Sequence, residues 1–268
     1  MTTSTPTVTR DQISSELRQL GTAPGDILLV HSSLSALGWV EGGAEAVIDA
    51  LLDVLGGKGT LLMPSFPRGG EHQLIRNGFI FDVRTAASEM GLISETFRRR
   101  SGAVRSLHPT HSVAGLGSRT EELLSGHECC ATSCGHGTPF GKLSAAGGKV
   151  LLLGCTHASN TTLHHVENTC GAPTLSRELF HPIVVTPEGR HCVVPTYPHM
   201  PGLRRQYERV ERELIESGVQ RNGKVGNAEA RLISAHDMVK TIGADLRKDP
   251  LYLIVPFTPA DAAGEARA

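Results

Sequence analysis

Apolar residues recur along the chain with two alternating spacings. Residues 11–20 have the spacing of an amphipathic helix, with an acidic residue near its start. Residues 26–33, DILLVHSS, form a continuous apolar run that ends in polar residues, which is typical of a strand buried on both faces. Residues 42–55 return to helical spacing, and the glycines of GGKG separate them from a strand-like run at 60–66. The pattern predicts one β-α-β unit in this part of the chain.

The alternation continues through the first two thirds of the chain. Further segments are a helix at 88–100, a strand at 148–155, a helix at about 160–170, strand-like pieces at 182–189 and 190–195, a helix at 202–217, a segment at 227–246 and an apolar run at 251–257. This order predicts an α/β fold with a mainly parallel central sheet flanked by helices, and ligands beyond the carboxyl ends of its strands. We expect a disordered N-terminal segment at 1–10, a single domain at 11–258 and a disordered tail at 259–268.

Composition and charge narrow the class of partner. Of the 268 residues, 26 are Lys or Arg and 27 are Asp or Glu, so the chain has no overall field that would attract nucleic acid or an anionic membrane. The first ten residues lack the apolar region of a signal peptide, and no apolar run approaches the ~18 to 20 residues that span a bilayer. We expect a cytoplasmic protein with a small-molecule partner. Most of the six cysteines are interpreted as reduced thiols.

A polar stripe follows the predicted strand at 148–155. On a helix, Asn160, His164 and Glu167 lie at positions i, i+4 and i+7 of one face, whereas His165 points about 100° away. A carboxylate beside a histidine orients the ring and stabilises its charged form, as a general base requires near neutral pH. A structural role, with the histidine in a helix contact and the glutamate at the surface, has comparable weight on these residues alone.

A second polar group stands at the end of the first predicted strand. His31, Ser32 and Ser33 precede a glycine-rich helix start. The free backbone N–H groups and the dipole at such a helix start suit a phosphate, so this segment is a candidate pyrophosphate site. An ordinary N-cap near Ser35 fits the same residues equally well.

A third group combines His108, His111 and Ser112 within five positions. A neighbouring histidine and serine would suit a serine hydrolase. The chain contains no G-x-S-x-G nucleophile elbow, however, so this class of enzyme is disfavoured.

Potential zinc ligands are concentrated between positions 127 and 136. They are His127, Cys129, Cys130, Cys134 and His136. Four of them could surround a zinc ion, although the usual paired C-x2-C spacing is missing. A thiol-bearing loop is therefore favoured over structural zinc, and a non-catalytic zinc-holding module stays open as an alternative.

Segments that match a known family occur in order over roughly residues 11–255. They are LLVHSSLSALGWVEGG, GTLLMPSF, the acidic FD at 81–82 followed by SEMGLISETFRR, HPTHSVAGLG, GHGTPFGKL, GKVLLLGCTHASNTTLHHVE and KVGNAEARL. Together they resemble the aminoglycoside 3-N-acetyltransferase family. These antibiotic N-acetyltransferases differ in fold from the more common acetyltransferase superfamily.

The resemblance implies transfer of an acetyl group from acetyl-CoA to an aminoglycoside amine, the 3-amino group of its 2-deoxystreptamine ring, with antibiotic resistance as the result. His164 would be the general base of a direct transfer, and Glu167 would support it or contact the substrate. Asp82 would be a second substrate contact, because ammonium groups need carboxylates to replace water. No metal is implied. The implied coenzyme A site comprises His31, Ser32, Ser33, Leu34, Leu37, Gly38, Trp39, Val40, His111 and Ser112.

Two segments depart from the family pattern. Residues 168–180, NTCGAPTLSRELF, replace a Pro-Tyr-Arg-like stretch, and the cysteines at 129–134 are not part of that pattern. The identity of the aminoglycoside therefore stays open, as does the oligomeric state, for which a homodimer is one candidate. A covalent acyltransferase of another small amine, with Cys155 or Cys170 as the nucleophile, is the enzymatic alternative.

Overall fold

A computed structural model describes residues 7–256 of the chain. The strands in this range are β1 Thr7–Val8, β2 Ile27–Ser32, β3 Trp39–Val40, β4 Thr60–Pro64, β5 Ile80–Asp82, β6 Val104–Arg105, β7 Val113–Gly117, β8 Lys149–Leu153, β9 Ile183–Val185, β10 His191–Val193, β11 Gln220–Val225 and β12 Ala228–Ser234. The α-helices are α1 Arg10–Leu20, α2 Gly43–Leu55, α3 Glu71–Arg76, α4 Leu92–Arg98, α5 Thr120–Leu124, α6 Pro139–Ala145, α7 Thr162–Thr169, α8 Val210–Glu216 and α9 Ala235–Lys248.

The main sheet has the strand order β11-β12-β8-β2-β4-β7-β6. Its central strands β8, β2 and β4 are parallel, whereas every other neighbouring pair is antiparallel. The α/β class with flanking helices is confirmed, but the sheet is mixed and the prediction of a mainly parallel sheet is wrong. One reason is local: only the two residues Gly226 and Asn227 separate β11 from β12, and so short a connection can join only antiparallel neighbours.

Helices cover both faces of the sheet. Because side chains alternate along a strand, Leu28 and Val30 of β2 face one way and Leu29 faces the other. The first two pack in a core with α1, α2 and α4, and Leu29 packs in a second core with α6, α7, α8 and α9. Burial on both faces explains why β2, β4 and β8 appear in the sequence as continuous apolar runs.

The N-terminal part of the described chain is ordered. Thr7 and Val8 pair with β3, Val8 is 3% exposed, and the Thr9 side chain caps α1 by accepting a hydrogen bond from the Gln12 N–H. The prediction of disorder over 1–10 is therefore wrong for residues 7–10, because an apolar side chain and a helix cap fix them. Residues 1–6 and the predicted disordered tail at 259–268 lie outside the described range. That 11–258 form one domain stays a prediction.

A smaller sheet, β10-β9-β5, is joined to the main sheet through a partly buried arginine. The Arg105 guanidinium on β6 donates to the carbonyl oxygens of Ala86 and Ser65 and to the hydroxyl of Ser112. It also lies over the Phe81 ring, 4.5 Å from the ring centre. Desolvation lowers the pKa of Arg105 to about 9, which leaves it charged at neutral pH.

Within residues 7–256, no helix combines the length and apolar character needed to cross a bilayer.

Candidate active site

A cavity of about 450 Å³ opens at the edge of the main sheet where β4 ends and β7 begins. Because β7 runs antiparallel to β4, the segment after Pro64 and the segment before Val113 meet at this edge. Helix α7, which follows the parallel strand β8, and a loop at 199–205 complete the wall. The polar side chains of the lining include Glu71, Thr110, His111, His164, His199 and Arg205. The cavity thus lies beyond the carboxyl ends of parallel strands, where a ligand is expected.

The predicted pair on α7 is formed. The Nδ1 atom of His164 lies 2.9 Å from Oε2 of Glu167 and 2.9 Å from the hydroxyl oxygen of Tyr207. A carboxylate can only accept, so Nδ1 carries the proton and Nε2 carries the lone pair. The His165 ring points elsewhere: its Nδ1 atom lies 2.7 Å from the Cys134 carbonyl oxygen, and the residue lines a different cavity.

Glu167 is a fully buried carboxylate with charged or polar partners on both oxygens. Its side chain has no exposed surface, and the Arg205 Nε–H lies 3.3 Å from each oxygen. Burial alone raises the pKa of Glu167, but the hydrogen bond from His164 and the charge of Arg205 outweigh this effect and lower it. The carboxylate is therefore charged at neutral pH and can orient the imidazole.

Burial also governs the protonation of His164. Desolvation lowers the pKa of this histidine, the neighbouring His199 adds to the effect, and Glu167 only partly opposes both. The ring is therefore neutral at pH 7 and can accept a proton at Nε2.

A second histidine–carboxylate pair lies beside the first at the cavity wall. The Glu71 Oε2 atom accepts the Nδ1–H of His199 at 2.6 Å and the backbone N–H of the same residue at 2.8 Å. The side-chain amide of Asn168 contacts the other ring nitrogen of His199, at 3.0 Å. The rings of His164 and His199 are tilted against each other with centres 4.4 Å apart.

Four residues of this site were not predicted from the sequence: Glu71, His199, Arg205 and Tyr207. Their contacts connect positions far apart in the chain; Glu71 and His199 are 128 residues apart. Residue spacing carries no signal for such contacts, because it reports only neighbours on one helix or strand.

The family resemblance assigns His111 and Ser112 to the coenzyme A site, but the two side chains have different surroundings. His111 lines the cavity, with its Nδ1 atom 3.4 Å from Oε1 of Glu71 and 3.1 Å from the Thr110 hydroxyl oxygen. Ser112 is fully buried: its hydroxyl accepts from Arg105 at 2.8 Å and donates to the Ser65 carbonyl oxygen at 3.3 Å. Since the Ser112 hydroxyl already has both partners, its observed contacts are structural.

The segment implied as the coenzyme A site begins with the last two residues of β2, next to the cavity edge of the sheet, and ends in β3. The imidazole of His31 is buried, its Nε2 atom has no hydrogen-bond partner, and desolvation lowers its pKa to about 3. Ser32, Ser33 and Leu34 are partly exposed. The Trp39 side chain at the end of this segment is 69% exposed.

Other members of that implied site are in the core. Leu37 has no exposed surface and Val40 is 8% exposed, and both belong to the core packed against α1 and α2. Gly38 has φ +90°, and the Asn227 side chain lies against its Cα. These three residues hold the segment in place.

Asp82 lies away from the cavity that contains His164. It stands on β5 in the small sheet, where its two carboxylate oxygens accept from the Arg84 guanidinium at 2.9 and 2.7 Å. This hydrogen bonding, despite partial desolvation, lowers the pKa of Asp82 to about 2. Because its carboxylate already has a cationic partner and does not line the cavity, the structure does not bring Asp82 to the other predicted site residues.

The potential zinc ligands at 127–136 do not converge in the described part of the chain. Both ring nitrogens of His127 are used, with Nδ1 2.9 Å from the Ser106 hydroxyl and Nε2 3.0 Å from the Ser133 carbonyl oxygen. Cys129 is exposed whereas Cys134 is buried. Within residues 7–256 the groups that could hold a metal are Glu71, His111 and His199, and His164, Glu167 and His199. The contacts of His127 thus argue against a zinc module built on this loop.

Neither proposed nucleophilic cysteine lines the cavity. The Cys155 thiol donates to the His31 carbonyl oxygen at 3.4 Å, and burial raises its pKa to about 11, so it is a thiol at neutral pH. The Cys170 sulfur lies 3.5 Å from an Arg247 nitrogen on α9. The structure therefore places neither sulfur beside His164.

Comparison with known proteins gives a family match and similar individual relatives. Residues 29–246 match the family model of the aminoglycoside 3-N-acetyltransferases. Aminoglycoside N(3)-acetyltransferase VII from Streptomyces paromomycinus is 32% identical over 257 residues, which cover 87% of this chain and 89% of the relative.

Two solved structures are similar over nearly the whole chain. A histidine-to-alanine mutant of aminoglycoside acetyltransferase AAC(3)-IVa in complex with gentamicin superposes with a TM-score of 0.81 at 30% identity, covering 97% of this chain and 95% of the other. AAC-IIIb in a binary complex with CoASH superposes with a TM-score of 0.79 at 26% identity, covering 94% and 100%. The chain described here belongs to the aminoglycoside 3-N-acetyltransferase family.

Proposed function

We propose that the protein transfers the acetyl group of acetyl-CoA to an aminoglycoside amine, the 3-amino group of the 2-deoxystreptamine ring, and so confers antibiotic resistance. The family membership and the relatives solved with CoASH and with gentamicin support these two substrates. The proposed compartment is the cytoplasm, and a homodimer is the assembly to be tested by mass measurement in solution.

One observation carries the proposed mechanism: a neutral imidazole lines the cavity with its proton-bearing nitrogen held by a buried carboxylate. His164 Nδ1 lies 2.9 Å from Glu167 Oε2, which leaves Nε2 to act as the general base. Glu167 fixes the tautomer and stabilises the imidazolium that forms. The gentamicin complex of AAC(3)-IVa, which contains a histidine-to-alanine substitution, is consistent with a histidine that matters in this family.

The transfer is direct. The neutral amine nitrogen attacks the thioester carbonyl carbon, and His164 Nε2 takes a proton from that nitrogen. The carbon–sulfur bond then breaks, the sulfur leaves with the bonding electron pair, and the proton passes to it to give free coenzyme A and the N-acetylated product. The neutral state of His164 before attack is what this step requires.

The coenzyme A site is proposed along residues 31–40 with His111. The indole of Trp39 is exposed and offers a flat apolar face, and the unpartnered Nε2 atom of buried His31 offers a polar contact. Leu37, Gly38 and Val40 would support this segment from the core.

The substrate amines are proposed to meet Glu71, the carboxylate that lines the cavity. Glu167, which has no exposed surface and is paired with Arg205, acts through His164 and does not contact the amines. Ammonium groups leaving water need carboxylate acceptors. Glu71 replaces Asp82 in this role, because Asp82 is paired with Arg84 outside the cavity.

An acetyl-CoA-consumption assay across a panel of aminoglycosides tests the function. We expect turnover of at least one, and His164→Ala is expected to lower kcat/KM about 10²- to 10⁴-fold, the usual contribution of a general base. Cys155→Ala and Cys170→Ala are the matched controls and are expected to keep the wild-type rate. A trapped acetyl-cysteine, or an active His164→Ala enzyme, would contradict direct transfer with this base.

A further inference from the structure

Three side chains at the cavity wall combine the donor types of a transition-metal site. They are Glu71, His111 and His199, and one donor atom of each lies within 4.8 Å of the others. Two histidines and one glutamate are a ligand set that zinc enzymes use with a fourth position left open. Here that fourth position would face the cavity, because all three residues line it.

The cluster is shielded from water but reachable from the cavity. The side chains of Glu71, His111 and His199 are 6%, 12% and 7% exposed. The Glu71 carboxylate already bridges the two rings, with Oε2 2.6 Å from Nδ1 of His199 and Oε1 3.4 Å from Nδ1 of His111. Both ring nitrogens thus converge on one carboxylate, so that a single ion between them would meet all three ligands.

The residue behind His199 can support a metal-binding tautomer. In the structure the Asn168 amide nitrogen lies on Nε2 of His199, and the buried Asn168 Oδ1 atom has no hydrogen-bond partner. Rotation of this amide would place Oδ1 on a protonated Nε2 and satisfy both groups. The Nδ1 lone pair would then be free for a metal, and metal-bound histidines usually donate their other N–H to such an oxygen.

A neighbouring group of ligands is a weaker candidate. His164, Glu167 and His199 are also close enough to share an ion, but the Glu167 carboxylate is already paired with the Arg205 guanidinium at 3.3 Å. A second cation there would be repelled by that arginine. No arginine or lysine is paired with Glu71 among the described residues.

We propose that Glu71, His111 and His199 bind one Zn²⁺ ion reversibly, and that the bound ion blocks acetyl transfer. The His199 ring lies 4.4 Å from that of His164, so an ion and its water at this cluster would occupy the space in which the amine approaches the base. The blocking part rests on the proposed function; the binding part does not.

Equilibrium dialysis of the chelator-treated full-length protein against ZnCl2 tests the binding. We expect one Zn²⁺ per chain at this site, with affinity at least about 10-fold lower in Glu71→Gln and in His199→Gln. The Cys129→Ser/Cys130→Ser variant is the matched control and is expected to keep the ion. Substitution with Co²⁺ is expected to give d–d absorption without a thiolate charge-transfer band.

Absence of binding, or binding that survives Glu71→Gln and His199→Gln but is lost in the cysteine variant, would overturn the site. Thermal unfolding of the metal-free variants identifies any that fail to fold, and the Co²⁺ spectrum of the wild type then decides the ligand type. In the acetyl-transfer assay, Zn²⁺ is expected to inhibit the wild type and to need at least about 10-fold more metal to inhibit Glu71→Gln. Full activity of the zinc-loaded wild type overturns the blocking, whereas dialysis still reports binding if no aminoglycoside is acetylated.

Discussion

Glu167 keeps its negative charge although its side chain has no exposed surface. It can do so because His164, Arg205 and the nearby Tyr207 hydroxyl surround it with donors and positive charge. Removing one partner of a buried ion pair leaves the other charge without compensation, which costs far more than the pair itself contributes.

Glu167→Gln is therefore expected to affect both rate and stability. The amide can present an N–H to His164 and favour the wrong tautomer, so kcat/KM should fall about 10²-fold. Arg205 loses its counter-charge, and the free energy of unfolding should fall by about 3 kcal/mol in urea titrations. Glu122→Gln, which breaks an exposed pair with Arg119, is the control and should leave both quantities unchanged. A Glu167→Gln protein with normal rate and stability would contradict the proposed role.

Local residue spacing predicted the first histidine–carboxylate pair of the site but not the second. His164 and Glu167 are three residues apart on a helix, and helix geometry brings them into contact wherever that helix lies. Glu71 and His199 are on a short helix and a loop, and only the tertiary fold brings them together. The substrate role of Asp82 was implied by the family resemblance alone, which says nothing about its partner Arg84, two residues further along the chain.

At the scale of elements, the register between β4 and β7 depends on close packing at the end of this pair opposite to the cavity. Gly117, the last residue of β7, pairs with Thr60 at φ +134°. A Cβ atom there would lie 2.6 Å from the Thr60 Cα and closer still to the Gly59 carbonyl oxygen. The two strands can therefore reach this register only with glycine at position 117.

Gly117→Ala is expected to lower the free energy of unfolding by about 3 kcal/mol, since it adds a backbone clash to the strain of positive φ. Gly126 is a matched control, because it also has positive φ, +73°, but no atom lies within 4 Å of an added Cβ. Gly126→Ala should cost about 1 kcal/mol. Chemical denaturation of both variants measures the difference, and equal losses would show that the clash is relieved by movement of the strands.

Apolar runs located β2, β4 and β8 because both of their faces are buried, and this pattern is visible in a single sequence. Whether neighbouring strands run parallel or antiparallel could not be predicted from the sequence in the same way. β7 returns antiparallel to β4 after nearly fifty residues, and nothing in its own sequence, VAGLG, records which neighbour it will pair with.

At the scale of the whole molecule, buried histidines make folding sensitive to acid. Desolvation lowers the pKa of both His31 and His127 to about 3, whereas an unfolded chain takes up these protons near pH 6.5. The unfolded state then binds more protons than the folded state at any pH between these values. Stability is therefore complete above about pH 6.5 and falls as the pH drops towards 3.

Between pH 7.5 and 5.5 we expect the free energy of unfolding to fall by about 1.4 kcal/mol for each such histidine. Urea titrations at both pH values measure this loss above the range in which carboxylates titrate. His191 is exposed, and His191→Gln is expected to leave the loss unchanged. A free energy of unfolding that is the same at both pH values would show that these rings take up protons in the folded state.

The main sheet ends on one side in β11 and on the other in the two-residue strand β6. Open strand edges invite pairing with another chain, but β6 is too short to act as a template and β11 carries Arg221 and Lys224, both exposed. Two copies of the protein are therefore poorly suited to join through a continuous sheet. A dimer is therefore expected to form through surfaces other than the two edges of the main sheet, and concentrated samples should resist fibril growth through those edges.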